Sequence, residues 1–186
     1  MKVFLQIHNP EIKAAMEEVQ AKCIEYDPKL SEMVVPVALA HITVLVLYVE
    51  EERMEEAKSI IANVVKNNII PQFEVKLDGL DNFNNNRILF AKPSTGIEDL
   101  TNLNSLFYKA LTAGGFICND KSYNPHTTIL KPGENVKHVP TEAFEKIKEK
   151  PFGVEKVSRI QLCLMGDQRD TDGYWECVGQ WDFMSI

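Results

Sequence analysis

Two strands of this chain open in the same way. His41-Ile42-Thr43-Val44-Leu45 and His126-Thr127-Thr128-Ile129-Leu130 each run from His-x-Thr into aliphatic residues, 126 − 41 = 85 residues apart. On a strand, residues i and i+2 project to the same face, so each histidine shares a face with its threonine. If the two halves of the chain pack about a rough twofold axis, four polar side chains converge on one cleft. A single His-x-Thr is a weak signal, because such a histidine is commonly a core or capping residue. Two copies, holding two of only four histidines, are much harder to dismiss.

The surrounding pattern reads as mixed helix and strand. Residues 2–8 alternate as a strand, and Asn9-Pro10 is a cap followed by proline at the first helical position. Ile12, Met16, Val19, Cys23 and Ile24 then follow one helix face, and Pro36 ends the possibility of a longer helix. His41 to Val49 is a buried strand. Glu50 to Glu52 open a second helix with Met54, Ala57, Ile60, Ile61, Val64 and Val65 inward. Strands are expected around Phe73–Leu77 and Ile88–Phe90, separated by a polar loop, Asp81 to Asn86. A third helix should span about Ile97 to Ala113 and stop at Gly114-Gly115. A short helix follows Pro140. A closing hairpin is expected from Lys156–Met165 and Tyr174–Phe183. The sum is an α+β chain with about four helices, seven or eight strands and largely antiparallel pairing.

Charge narrows the ligand. Asp and Glu number 27 against 20 Lys and Arg, a net charge of −7. A broad basic surface for duplex nucleic acid is excluded, and an anionic ligand must be held by a few donors in a local pocket. Cys23, Cys118, Cys163 and Cys177 show no CxxC spacing, which argues against a zinc knuckle. Cys163 and Cys177 can face each other across the closing hairpin, with free buried thiols expected rather than a disulfide. No apolar run approaches the ~20 residues that cross a bilayer, and the first strand is too short for a signal-peptide core. One domain of two lobes over residues 1–186 is expected, in a cytoplasmic, reduced-thiol setting, as a monomer without membrane contact.

The histidine and threonine set suits cleavage of a phosphodiester by an internal hydroxyl. One imidazole, neutral, takes the proton of the attacking hydroxyl; the other, protonated, gives one to the leaving oxygen. An unperturbed histidine titrates near pH ~6.5, so a pair can hold opposite states near neutrality. Threonine hydroxyls can donate to the non-bridging oxygens, where charge gathers in the transition state. The nucleophile is the neighbouring ribose hydroxyl, so neither metal nor cofactor is called for.

These residues resemble the two-histidine (2H) phosphoesterase superfamily, marked by paired His-x-Thr/Ser motifs in a bilobal α+β fold. The resemblance extends to FLQIHNPEI, GLDNF, SYNPHTTILK, RIQLCLM and DGYWEC. Those strings are most similar to the central phosphoesterase domain of the A-kinase anchoring proteins, with related domains in viral 2′-5′ oligoadenylate phosphodiesterases. The resemblance implies a LigT-like fold, two mostly antiparallel sheets about a pseudo-twofold axis with helices outside. It implies that His41, Thr43, His126 and Thr128 are catalytic. It also implies a substrate among 2′,3′-cyclic phosphates, 2′-5′ linked oligoadenylates and nucleoside monophosphates. In the anchoring proteins kinase binding belongs to an amphipathic helix outside this domain, so anchoring is not expected of these residues.

Phe83, in its asparagine-rich loop, is a candidate to stack on a nucleobase, with packing as the alternative. Tyr123 is a candidate to line the cleft. Arg87 and Arg159 read as solvated or structural charges, His8 as a structural residue of the first strand, and His138 as surface. The turn Asp167 to Asp172 lacks the glycine and terminal glutamate of a divalent-ion loop. Three functions follow in order: a phosphodiesterase on short 2′-5′ linked nucleotides (oligoadenylate first, a 2′-5′-containing cyclic dinucleotide next), a 2′,3′-cyclic phosphodiesterase of RNA processing, and a non-catalytic nucleotide sensor. Both intact His-x-Thr pairs count against the last.

Overall fold

The computed structural model describes residues 1–119 and 122–184. In chain order the elements are β1 (Lys2–Gln6), α1 (Pro10–Tyr26), β2 (His41–Tyr48), α2 (Met54–Asn67), β3 (Phe73–Phe83), β4 (Ile88–Pro93) and α3 (Ile97–Ala113). There follow β5 (Ile117–Cys118), β6 (Thr127–Leu130), α4 (Thr141–Ile147), β7 (Pro151–Val157), β8 (Arg159–Cys163) and β9 (Cys177–Asp182). They make a five-stranded sheet, β5-β2-β1-β8-β9, and a four-stranded sheet, β6-β4-β3-β7, in which every strand pair is antiparallel.

Local chemistry sets the boundaries. The Asn9 side chain accepts the Glu11 N–H at 2.8 Å, and Pro10 opens α1. The helix buries Ile12, Met16, Val19 and Cys23, the stripe its spacing promises. Two expectations change. Phe83 lies on β3, because Asp81, Asn82 and Phe83 pair with Phe90, Leu89 and Ile88. The turn is confined to residues 84–87, with Asn84, Asn85 and Asn86 all at positive φ (53°, 57° and 61°), a conformation asparagine tolerates. The strand expected over 156–165 is two strands, broken at Ser158, whose carbonyl accepts the Phe183 N–H at 2.8 Å. Its first part belongs to the four-stranded sheet and its second to the five-stranded one.

The two sheets exchange helices. α1 leaves β1 of the five-stranded sheet and packs on β7 and β6 of the other, whereas α3 leaves β4 and packs on β2 and β5. The units β1–α1–β2 and β4–α3–β6 therefore repeat one another about a pseudo-twofold axis. The register repeats too. In the first unit Val3 pairs with Leu45 and Phe4 with Thr43, leaving Val44 unpaired; in the second Leu89 pairs with Leu130 and Phe90 with Thr128, leaving Ile129. Each unpaired residue is a β-bulge directly after a His-x-Thr, where the strand turns its polar end outward.

A bulge frees backbone groups that must find partners. Asn104 on α3 donates its amide N–H to the Val44 carbonyl at 2.7 Å. Gln20 on α1 donates to the Ile129 carbonyl at 3.1 Å and to the Val35 carbonyl at 2.7 Å. Thus each crossed helix braces the bulge of the sheet it covers. Asn104→Leu keeps the bulk but leaves the Val44 carbonyl without this donor, which is expected to cost ~1–3 kcal/mol, read by urea denaturation. An unchanged midpoint would show that the bulge does not depend on the amide.

Candidate functional site

The His-x-Thr ends of β2 and β6 meet at one cavity of about 520 Å³, a size common for small-molecule sites. His41, Thr43, His126 and Thr128 all line it, as do Phe83 and Tyr123. Both histidines are held alike. Nδ1 of His41 lies 2.7 Å from the Leu39 carbonyl, and Nδ1 of His126 lies 2.8 Å from the Asn124 carbonyl. A carbonyl oxygen only accepts, so in each ring Nδ1 carries the proton and donates. Nε2 is thereby the basic nitrogen, and the described residues offer it no protein partner.

Aromatic rings fix the imidazole planes. Phe4 lies under His41 with centroids 3.8 Å apart, and Phe90 lies 5.0 Å from His126. These two phenylalanines are equivalents in the repeated register, 90 − 4 = 86 residues apart. Phe83 stands edge-on to His126 at 5.0 Å, so it packs on the histidine as well as lining the cavity. Trp175 closes the His41 side, 6.3 Å from that ring. The Tyr123 hydroxyl donates to the Thr43 carbonyl at 3.1 Å, and burial pushes its pKa up, so it remains a neutral brace for β2.

Burial dominates the electrostatics. It pushes the His41 pKa down to about 4, against the hydrogen bond to Leu39, and the charges of Lys2, His126 and Lys131 lower it further. The His126 pKa is lowered as well, first by burial and then by the Lys2 charge, against the bond to Asn124. In the protein alone both rings are neutral at pH 7, and a phosphate placed between them favours the charged form of either.

The secondary candidates separate cleanly. His8 is exposed past the end of β1, where its backbone N–H donates to Glu155, outside the cavity. His138 Nδ1 lies 3.0 Å from the Asn85 carbonyl at the surface. Arg159 pairs with Asp182 at 3.3 Å, and Arg87 is exposed; neither lines the cavity. Cys163 and Cys177 are register partners with free thiols 2.8 Å apart. Among the described residues no three His, Cys, Asp or Glu side chains gather as a metal cluster, and no helix is long and apolar enough to cross a membrane. Sequence reasoning missed Lys2, Phe4, Phe90, Asn104, Lys131 and Trp175. Phe4 and Phe90 left a signal, since Val3-Phe4-Leu5 and Leu89-Phe90-Ala91 echo the spacing of the two motifs, and Lys131 and Trp175 lie within the strings SYNPHTTILK and DGYWEC.

Two sheets that each deliver a His-x-Thr strand to one cavity make this a LigT-like 2H phosphoesterase, a phosphodiesterase class. The profile of the AKAP7 2'5' RNA ligase-like domain matches residues 3–183, and the chain belongs to that family. Human A-kinase anchor protein 7 isoform gamma is 26% identical over 195 residues, covering 93% of this chain and 54% of that protein. The chain thus spans about half the length of this relative. Among solved structures, TT0787 of Thermus thermophilus superposes with a TM-score of 0.72 at 20% identity, over 98% of each chain. E. coli LigT complexed with 3'-AMP gives 0.63 at 17% identity, over 98% of this chain and 97% of its own. The MHV ns2 PDE domain gives 0.52 at 14%, over 84% and 95%.

The depressed histidines also set a pH dependence of stability. His41 takes its proton near pH 4 in the folded chain and near ~6.5 in the unfolded one. Between those values the unfolded chain binds more protons, so stability is lost as pH falls through that window. Urea unfolding between pH 7.5 and 4.5 should show this loss, and His41→Gln should flatten it. An identical slope in the variant would contradict the assignment.

Proposed function

We propose that the protein cleaves 2′-5′ linked nucleotides, with 2′-5′ oligoadenylate as the leading substrate. The observation that carries the reading is the matched pair of imidazoles, each locked through Nδ1 and offering Nε2 to one cavity beside a threonine. In a 2′-5′ bond the free 3′-hydroxyl neighbours the phosphorus. One imidazole removes its proton as the new P–O3′ bond forms. The P–O5′ bond breaks, and the second imidazole protonates the departing 5′-oxygen. The product is a 2′,3′-cyclic phosphate, and Thr43 and Thr128 donate to the non-bridging oxygens as charge builds.

The deeper burial of His41 supports a division of the two roles. His41 is the more strongly depressed ring and suits the base, which must be neutral; His126 suits the acid. Phe83, at the cavity wall beside His126, offers a face for the adenine. The relatives support the class of ligand: LigT has been solved with 3'-AMP, with ATP and with phosphate.

The test compares 2′-5′ and 3′-5′ triadenylate and 2′,3′-cyclic AMP, each in excess chelator. A 3′-5′ bond presents its attacking hydroxyl displaced, and misplacement by ~1 Å can cost on the order of 100-fold. The 2′-5′ substrate should therefore be cleaved faster by about that factor. His41→Ala or His126→Ala should each lower the rate by ~100-fold or more. Equal cleavage of both linkages, or preference for the cyclic phosphate, would favour the RNA-processing reading. Binding without turnover would make the site a sensor, and unchanged rates in both histidine variants would end the mechanism.

A further inference from the structure

The cavity is charged against the grain of the chain. Its described lining residues include Lys2 and Lys131 and no Asp or Glu, in a protein whose acids outnumber its bases 27 to 20. Neither cavity lysine forms an ion pair with a carboxylate among the described residues.

Lys2 sits on β1, and Lys131 lies exposed just beyond the end of β6. Lys2 is half-buried on the cleft side of β1, two residues before the ring under His41, with its ammonium 5.8 Å from that ring's centroid. Lys131 follows β6 directly, three residues beyond Thr128, and its backbone N–H is fixed to the Met33 carbonyl at 2.9 Å. Burial lowers the Lys2 pKa first, and the Lys131 charge lowers it further. Two like charges lining one concave space, one of them half-buried, favour an anion between them. One scissile phosphodiester carries a single negative charge, and the threonines and the protonated histidine already address it.

We propose that Lys2 and Lys131 hold a second phosphate, so that the site selects nucleotides carrying a phosphate beyond the one it cleaves. This rests on the reading that places the scissile phosphate between the histidines. The second phosphate has two sources in a short oligonucleotide: a 5′-terminal phosphate or the next internucleotide linkage. The ammonium groups bind either as charge-assisted donors.

Binding tests the subsite without turnover. Calorimetry at fixed salt should show adenosine 2′,5′-bisphosphate binding the wild-type protein about 10-fold more tightly than adenosine 2′-monophosphate. Lys2→Gln and Lys131→Gln should each cut that ratio several-fold, with circular dichroism confirming that the variants are folded. A ratio near one in the wild type, or one unchanged in both variants, would overturn the proposal. Turnover then names the source. A gain from 2′-5′ diadenylate to its 5′-phosphorylated form marks the terminal phosphate, and a gain to the triadenylate core marks the linkage. If no substrate is cleaved while the bisphosphate ratio behaves as stated, the phosphodiesterase reading fails and the lysine subsite stands.

Discussion

The hydrogen bond from each imidazole Nδ1 to the carbonyl two residues earlier decides what this cavity can do. Made once, it would orient one histidine. Made twice, at 2.7 Å for His41 and 2.8 Å for His126, it presents two basic Nε2 atoms to one space. The rest of the fold keeps those two carbonyls and rings in place. The β1–β2 and β4–β6 pairs put a phenylalanine opposite each motif threonine, and the bulges at Val44 and Ile129 end the polar stretch. The crossed helices supply Asn104 and Gln20 to the bulge carbonyls, so each sheet's motif is braced by a helix that leaves the other sheet.

This arrangement has an electrostatic consequence. Burial lowers both histidines, His41 to about 4, and the Lys2 charge adds to it in each, with no carboxylate among the described lining residues. On its own, a site of this kind is a poor proton donor. An arriving phosphate counters the field and raises the basicity of the ring that must act as acid. In the proposed mechanism, charge on the ligand would both aid binding and prepare the acid.

Much of this was legible in the residues. The His-x-Thr repeat marked both strands and the twofold relation, since period-two patterning and identical spacing survive without tertiary information. The helix α3 and its Gly-Gly stop were equally plain. Other features depend on contacts that a linear pattern does not encode. The two sides of Ser158 pair into different sheets, and Phe83 lies on β3 because three asparagines at positive φ make a short turn after it. Lys2 and Lys131 carried no signal of their own in the sequence; the pairing of β1 with β2 and of β4 with β6 brings them to the cavity of the motif histidines.

The central claim is that two histidines share one proton relay, and pH–rate profiles of kcat/KM on 2′-5′ triadenylate test it most directly. The wild-type profile should be bell-shaped, with one limb set by the base and one by the acid. His41→Ala should lose the acidic limb and His126→Ala the alkaline limb, each at a greatly reduced rate. A bell that persists with both limbs in both variants would contradict the account, because the titrating groups would then lie elsewhere.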